Sequence, residues 1–258
     1  MRHWTKHLFA IAALLLLTGC LWGPGKFSSD LTLRKDGSFL LDYRGEIVLQ
    51  LPPDASADPW TDNKAKCSDA GKDRLCTKAE IAEQKDAYDK KRKDSEGMAK
   101  MFGLPGLDDE SNRAFAAKLT KYAGWRSVTY RGKGVFDVDY HFAGRATQDF
   151  LFPALPDNDL IIPFIAIRRR ADGAVLVTAP GFTGGAGPLG ARAGAAASEG
   201  MGKGGPVSRA QGRFTVITDG EILTNNSEDG ASAHAIGRQL HWDVGPSSNK
   251  IPETLIRL

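Results

Sequence analysis

The segment Val135-Phe136-Asp137-Val138-Asp139-Tyr140-His141-Phe142 alternates its side chains with a period of two. Successive side chains of a strand point to opposite faces, so Phe136, Val138, Tyr140 and Phe142 share one apolar face and the residues between them share a polar one. A helix would scatter the same residues around its girth. The chain therefore builds at least one sheet with a buried face and a solvated face. The same pattern appears earlier. Asp30-Leu31-Thr32-Leu33-Arg34 alternates, Asp36-Gly37 is a turn signal, and Ser38 to Leu51 resumes as strand with Phe39, Leu41, Tyr43, Ile47, Leu49 and Leu51 as its apolar positions. Arg44-Gly45-Glu46 within that run predicts a bulge or bend. A second Asp-Gly pair, Asp172-Gly173, joins Leu160 to Arg170 with Ala174 to Ala179. Phe214 to Leu223 and Ile236 to Val244 read as further strands, and Thr254 to Leu258 as a closing edge strand.

Between the second and third strands the pattern changes. Pro52-Pro53 ends the strand, and residues 52 to 76 are polar. Thr77 with Glu80 three residues later forms a capping box, which predicts a helix over Ala79 to Lys93. Its apolar side chains are few (Ile81, Ala82 and Tyr88), so it reads as a solvated helix. Met98, Met101, Phe102, Leu104 and Leu107 form an apolar connection broken by Gly and Pro. Asp108 or Asp109 then caps a second helix with Phe115, Leu119 and Tyr122 at helical spacing, closed by Gly124. Strands linked in sequence with two helices inserted between them predict an α+β fold: an antiparallel β-sheet with the two helices packed on one face. A β-sandwich with the helical region as an excursion is the alternative. The expected domain runs from 30 to 258, with a charged helical insert at about 52–124. A Gly/Ala-rich loop at 181–212 is expected to leave one end of the sheet.

The N-terminus carries an address. Arg2, His3 and Lys6 are cationic, and Leu8 to Leu17 is an apolar run of about ten residues, too short to span a bilayer of ~30 Å. It ends in Leu17-Thr18-Gly19-Cys20, which resembles the lipobox of bacterial lipoproteins. Small residues let the peptidase reach the backbone, and the Cys20 thiol accepts the diacylglycerol. The expected divisions are a signal peptide at 1–19, a lipidated tether at 20–29, and a domain in the periplasm. Leu21 follows the cysteine where an Asp would signal inner-membrane retention, so the resemblance points to the outer membrane. Stable anchoring needs more than one acyl chain, which a palmitate-type modification of Cys20 supplies.

Composition narrows the partners. Of the 34 lysines and arginines, Arg2 and Lys6 leave with the signal peptide, so 32 cations face 31 acidic residues. That balance offers no electrostatic case for nucleic acid. With Cys20 acylated, two of the three cysteines remain, Cys67 and Cys76. An even pair in an oxidising compartment predicts a disulfide closing a small loop.

Several residues could carry chemistry. Gly185-Ala186-Gly187-Pro188-Leu189-Gly190 fits a dinucleotide fingerprint in spacing, but it follows an antiparallel hairpin and contains a proline. Gly200-Met201-Gly202-Lys203-Gly204 lacks the Ser or Thr of a phosphate-binding loop. His141, His234 and His241 are the histidines of the mature chain, and no compact spacing joins them to other ligands. Asp137 and Asp139 lie two apart on one strand face, where a carboxylate pair could serve glycoside hydrolysis, though an ordinary solvent face explains them. Arg168-Arg169-Arg170 before a turn could meet lipid phosphate, or be a solvated hairpin end. The sequence thus predicts no catalytic residue, no cofactor and no metal site.

The order of features resembles the LppM-type lipoprotein domain of bacterial envelopes. The matching pieces are Cys20 followed by Asp30-Leu31-Thr32-Leu33 and its turn, and the strand pair around Trp125 to Phe142. The third is Gly220-Glu221-Ile222-Leu223-Thr224-Asn225-Asn226, followed by Gln239-Leu240-His241-Trp242-Asp243. Together they cover about a third of the chain. The insert of 52 to 100 and the lack of a C-terminal membrane helix depart from that family. The resemblance implies a non-enzymatic domain that binds a lipid or other amphipathic ligand at the envelope, and it carries over no catalytic residue. An envelope-protein interaction module is the second expectation, with the charged insert as its recognition element. A hydrolase comes last.

Overall fold

The computed structural model describes residues 22–49, 60–69, 71–101, 108–154, 163–183 and 210–258. In chain order the strands before the helices are β1 (Trp22–Leu33), β2 (Ser38–Leu49), β3 (Cys67–Asp69) and β4 (Lys72–Arg74). The helices are α1 (Lys78–Met101) and α2 (Asp109–Leu119). There follow β5 (Trp125–Gly132), β6 (Val135–Arg145), β7 (Phe150–Phe152), β8 (Ile165–Arg169), β9 (Val175–Thr178), β10 (Gln211–Thr218), β11 (Glu221–Asn225), β12 (Ser232–His234), β13 (Gly237–Val244) and β14 (Glu253–Arg257).

The strands form a seven-stranded sheet, β12-β13-β10-β1-β2-β6-β5, a five-stranded sheet, β11-β14-β9-β8-β7, and the small hairpin β3-β4. The chain is α+β in the broad sense, mostly antiparallel. The sheet is not built from neighbours in sequence alone, however, because β1 pairs in parallel with β10. Gly212 makes this possible. A Cβ there would collide with the Phe27 carbonyl, so a glycine lets β10 approach β1.

The two large sheets face each other across one core. Phe27, Leu31, Leu33, Phe39, Leu41 and Tyr43 line the inner face of the seven-stranded sheet, and Phe152, Ile165, Ile167, Val175, Val177 and Ile256 meet them from the five-stranded one. Rings join the layers: Tyr43 lies 5.0 Å from Phe152, and Phe39 lies 5.0 Å from Phe150. Helix α2 covers a corner of the same inner face, with Phe115 5.7 Å from Trp22 and 6.1 Å from Phe136. Asp108 caps it, accepting from the Ser111 backbone N–H at 2.8 Å. Helix α1 finds its partners in the β3-β4 hairpin and in the residues just before it. Gln84 donates to the Lys66 carbonyl at 3.2 Å, and Tyr88 lies 5.6 Å from Trp60.

Several expectations change. Residues 22–29 are not a tether: β1 already begins at Trp22, because Trp22 and Phe27 are buried and pull the strand into the core. Residues 22–29 therefore belong to the folded domain. The bulge expected at Gly45 lies on its partner, where the register slips between Pro24 and Phe27. Phe214 to Leu223 is not one strand. It splits into β10 and β11, which belong to different sheets. The closing strand β14 is not an edge, since β11 and β9 flank it and bury Thr254 and Ile256. Helix α2 ends at Leu119, five residues before Gly124. The Gly/Ala-rich segment is shorter at both ends than 181–212. Phe182 is fully buried, 4.1 Å from Phe27, and Ala210 is buried at the entry to β10. The two glycine motifs at 185–190 and 200–204, the apolar connection from Phe102 to Leu107, and residues 1–21 with Cys20 lie outside the described residues.

Candidate functional site

The outer face of the seven-stranded sheet collects the polar half of each alternating strand, and the registers define its rows. His141 lies opposite Asp42, Asp42 opposite Asp30, Asp30 opposite Thr215, and Thr215 opposite His241. A second row runs Asp139, Arg44, Ser28, Arg213 and Asp243. Each strand contributes because its odd or even positions face the aromatic core and leave the others outside.

Several side chains of this face are held by charged partners. His141 Nδ1 is 2.6 Å from Asp42 Oδ1, and His241 Nε2 is 3.1 Å from Asp229 Oδ2. Arg213 reaches both oxygens of Asp243, at 2.7 and 3.1 Å. The guanidinium bonded to it holds the Asp243 carboxyl below the usual carboxylate range. The two carboxylates considered as a pair differ: Asp137 accepts from Arg131 at 2.5 Å, whereas Asp139 has Arg44 at 3.7 Å and its buried Oδ1 accepts no hydrogen bond. Among the described residues no group of three or more His, Cys, Asp or Glu side chains is placed to hold a metal ion.

The remaining sequence candidates are dispersed. His234 lies on β12 with its Nδ1 3.4 Å from the Ile236 backbone N–H. Arg168 is 3.8 Å from Asp149, Arg169 donates to the Ala146 carbonyl at 3.2 Å, and Arg170 is 3.3 Å from Asp172. The three arginines thus turn to three different partners at one hairpin end, as a solvated hairpin end does. Cys67 and Cys76 are joined, with Cα atoms 5.3 Å apart.

The bond sits at the base of α1. Glu80 accepts from the Thr77 backbone N–H at 2.8 Å and from Arg74 at 2.9 Å, and Thr77 Oγ1 accepts from the Glu80 N–H at 3.3 Å. The Arg74 hydrogen bond, with the Thr77 bonds, lowers the Glu80 carboxyl to about 2. Leu75, between β4 and the second cysteine, is 94% exposed.

One contact was missed by inspection of the sequence. Asn226 accepts from the Trp242 indole and from the Glu253 N–H, both at 2.9 Å, and donates to the Ile251 carbonyl at 2.7 Å. It ties β11, β13 and β14 together. Asn226 and Trp242 were both visible as motif residues, but only the pairing of distant strands brings them into contact. Among the described residues no helix is long and apolar enough to cross a membrane. No family model matches the chain, and no characterised protein matches it in sequence.

Proposed function

We propose that the protein is a lipid-anchored envelope lipoprotein with a non-enzymatic role, facing the periplasm from the outer membrane and engaging a lipid or other amphipathic ligand. The observation that carries the anchor is the cysteine arrangement. Cys67 and Cys76 are bonded to each other, and Cys20, within its lipobox, is the third cysteine of the chain. A disulfide belongs to an oxidising compartment, which agrees with export. The resemblance to LppM-type domains supports the ligand class. Tyr43, Phe152, Phe164 and Phe182 occupy the space between the sheets with ring centroids 5.0 to 6.4 Å apart, so the ligand is taken at the surface and not between the layers. In this reading α2, against Trp22 and Phe136, covers the sheet, and α1 extends the β3-β4 arm.

The test is Cys20→Ala with metabolic labelling by a fatty-acid analogue. The variant is expected to stay unprocessed and unlabelled, because the thiol is the acceptor in the box. Label that persists in the variant overturns the anchor. Mass spectrometry of lipids co-purifying with the domain tests the ligand.

A second reading rests on Leu75. A large apolar side chain fully in water beside a disulfide, at the foot of a charged helix, is what a protein-docking arm presents. Leu75→Ser is expected to abolish partner capture under this reading and to leave lipid co-purification unchanged under the first.

A further inference from the structure

We propose that the anchored protein stands end-on, with the end of the sandwich that carries Trp22 seated against the phospholipid surface. This rests on the acylation of Cys20 proposed above. Only Leu21 separates Cys20 from Trp22. Two residues reach at most about 7 Å, so the acylated residue stays that close to the start of β1. Trp22 is itself fixed. It is 9% exposed, its ring lies 5.4 Å from Phe136 and 5.7 Å from Phe115, and its backbone is in register with Leu49. A flexible linker of about ten residues would spread over roughly 17 Å and let the domain turn over. A single residue between the lipid and a strand in the core does not.

The registers identify what lies at that end. Trp22 faces Leu49, Gly23 faces Val48, and Val48 faces Val135. The Leu49 N–H donates to the Gly134 carbonyl at 2.7 Å, so the β5-β6 turn and its Lys133 sit beside Trp22. β10 runs parallel to β1 and enters at Gln211 opposite Lys26, and β13 ends nearby at Val244 opposite Gly212. The loop after β13 carries Lys250. Lys26, Lys133 and Lys250 are exposed, and none forms an ion pair with a described residue. The acids at this end are largely engaged. Asp137 is held by Arg131, Asp243 by Arg213, Glu46 by the Lys26 N–H, and Asp109 by the Tyr130 hydroxyl and Arg113, while Glu253 and Glu110, in the first turn of α2, are exposed carboxylates. Unpaired lysines at a membrane contact favour anionic headgroups.

The opposite end holds the β1-β2 turn with Arg34 and Lys35. It is cationic as well, so charge alone does not choose between the ends. The tether does. The 12 residues of β1 place that turn about 40 Å further from the lipid.

The test uses the acylated full chain in phosphatidylethanolamine–phosphatidylglycerol vesicles that contain a headgroup spin-label quencher. A fluorophore is attached at Lys133→Cys, at Lys250→Cys as a second near-end site, or at Lys35→Cys. The near-end labels are expected to lose most of their emission, and the Lys35→Cys label to keep its own. A Gly-Ser spacer of about twenty residues inserted after Leu21 is expected to bring the Lys133→Cys signal to the level of Lys35→Cys. Equal quenching of all three labels on protein whose intact mass includes the acyl group overturns the end-on arrangement while the anchor stands. An intact mass without the acyl group overturns the anchor itself, and the inference with it.

Discussion

The sandwich and the hairpin–helix arm of residues 60–101 are held by different physics. In the sandwich, rings from distant parts of the sequence interlock: Phe182 touches Phe27 from β1 and Phe214 from β10, at 4.1 and 5.4 Å. In the arm, the contacts are short-range and mostly polar, with one ring pair and one covalent bond: Glu80 with Arg74 and Thr77, Gln84 with Lys66, Trp60 with Tyr88, and Cys67 with Cys76. Dispersion and hydrophobic burial accumulate over a large core, whereas exposed ion pairs contribute little each. The arm is therefore expected to open without the sandwich.

The largest test of this difference is Phe182→Ala. The side chain is fully buried between the layers, so its loss is expected to cost about 3–5 kcal/mol, lowering the melting temperature by roughly 10 °C. Calorimetry reads the shift. A change within two or three degrees would mean that Phe182 is an appendage of the neighbouring Gly/Ala-rich segment and not part of the core.

Base should strike the sandwich next. Burial pushes the Tyr43 hydroxyl well above its ordinary value, and burial also raises Tyr140. Groups whose folded value is raised give stability that is present below the unfolded value, near 10, and lost as the pH climbs above it. Each then removes about 1.4 kcal/mol per pH unit until its folded value is reached. Denaturant titrations from pH 9 to 11.5 are expected to show this fall, and Tyr43→Phe, which lacks one titrating group, a shallower one. Identical slopes for the two proteins would remove Tyr43 from the account.

The same contrast explains what could be read from the sequence. The capping box at Thr77 and Glu80, the cysteine pair, and the Asp36-Gly37 and Asp172-Gly173 turns are local signals, and the structure contains each of them. The alternation at 135–142 likewise placed Phe136, Val138 and Tyr140 in the core. Pairing at long range left no such mark. Leu31 and Val216 are neighbours in a parallel ladder although 185 positions apart, and nothing in either segment names the other. The division into two sheets, the central place of β14 and the outer-face rows all depend on that pairing. Gly23, Pro24 and Gly25 read as linker, but burial of Trp22 and Phe27 makes residues 22–29 part of β1.

Breaking the covalent bond should separate the two regions. Cys76→Ser, or reduction, is expected to raise amide exchange through 60–84 and leave the main thermal transition within about two degrees. The bond closes a short loop worth at most ~3 kcal/mol, and that gain is confined to the arm. A shift of the main transition as large as that of Phe182→Ala would show that arm and sandwich unfold as one unit.

The smallest effect is also the most local. The Arg74 hydrogen bond and the Thr77 cap hold the Glu80 carboxyl at about 2, well under its ordinary 4.5. A carboxylate with a depressed folded value contributes stability that is present above the unfolded value and is lost as the pH falls toward the folded one. Between about pH 4.5 and 2, protonation of Glu80 removes the charge that Arg74 and the first turn of α1 are arranged around. Hydrogen exchange at Ile81, whose N–H donates to the Thr77 carbonyl at 3.0 Å, is expected to accelerate over that window more than the pH dependence of the exchange chemistry itself provides. Asp36, Asp108 and Asp243 are lowered too, by their own hydrogen-bond partners, so acid acts elsewhere in the molecule at the same time. Glu80→Gln isolates the local part. Its amide cannot gain or lose the charge, so Ile81 should exchange faster than wild type at pH 6 and show no further opening in acid. If the variant keeps the wild-type acid response, the cap of α1 is set by another carboxylate, and the arm's stability is not centred on the Arg74–Glu80 pair.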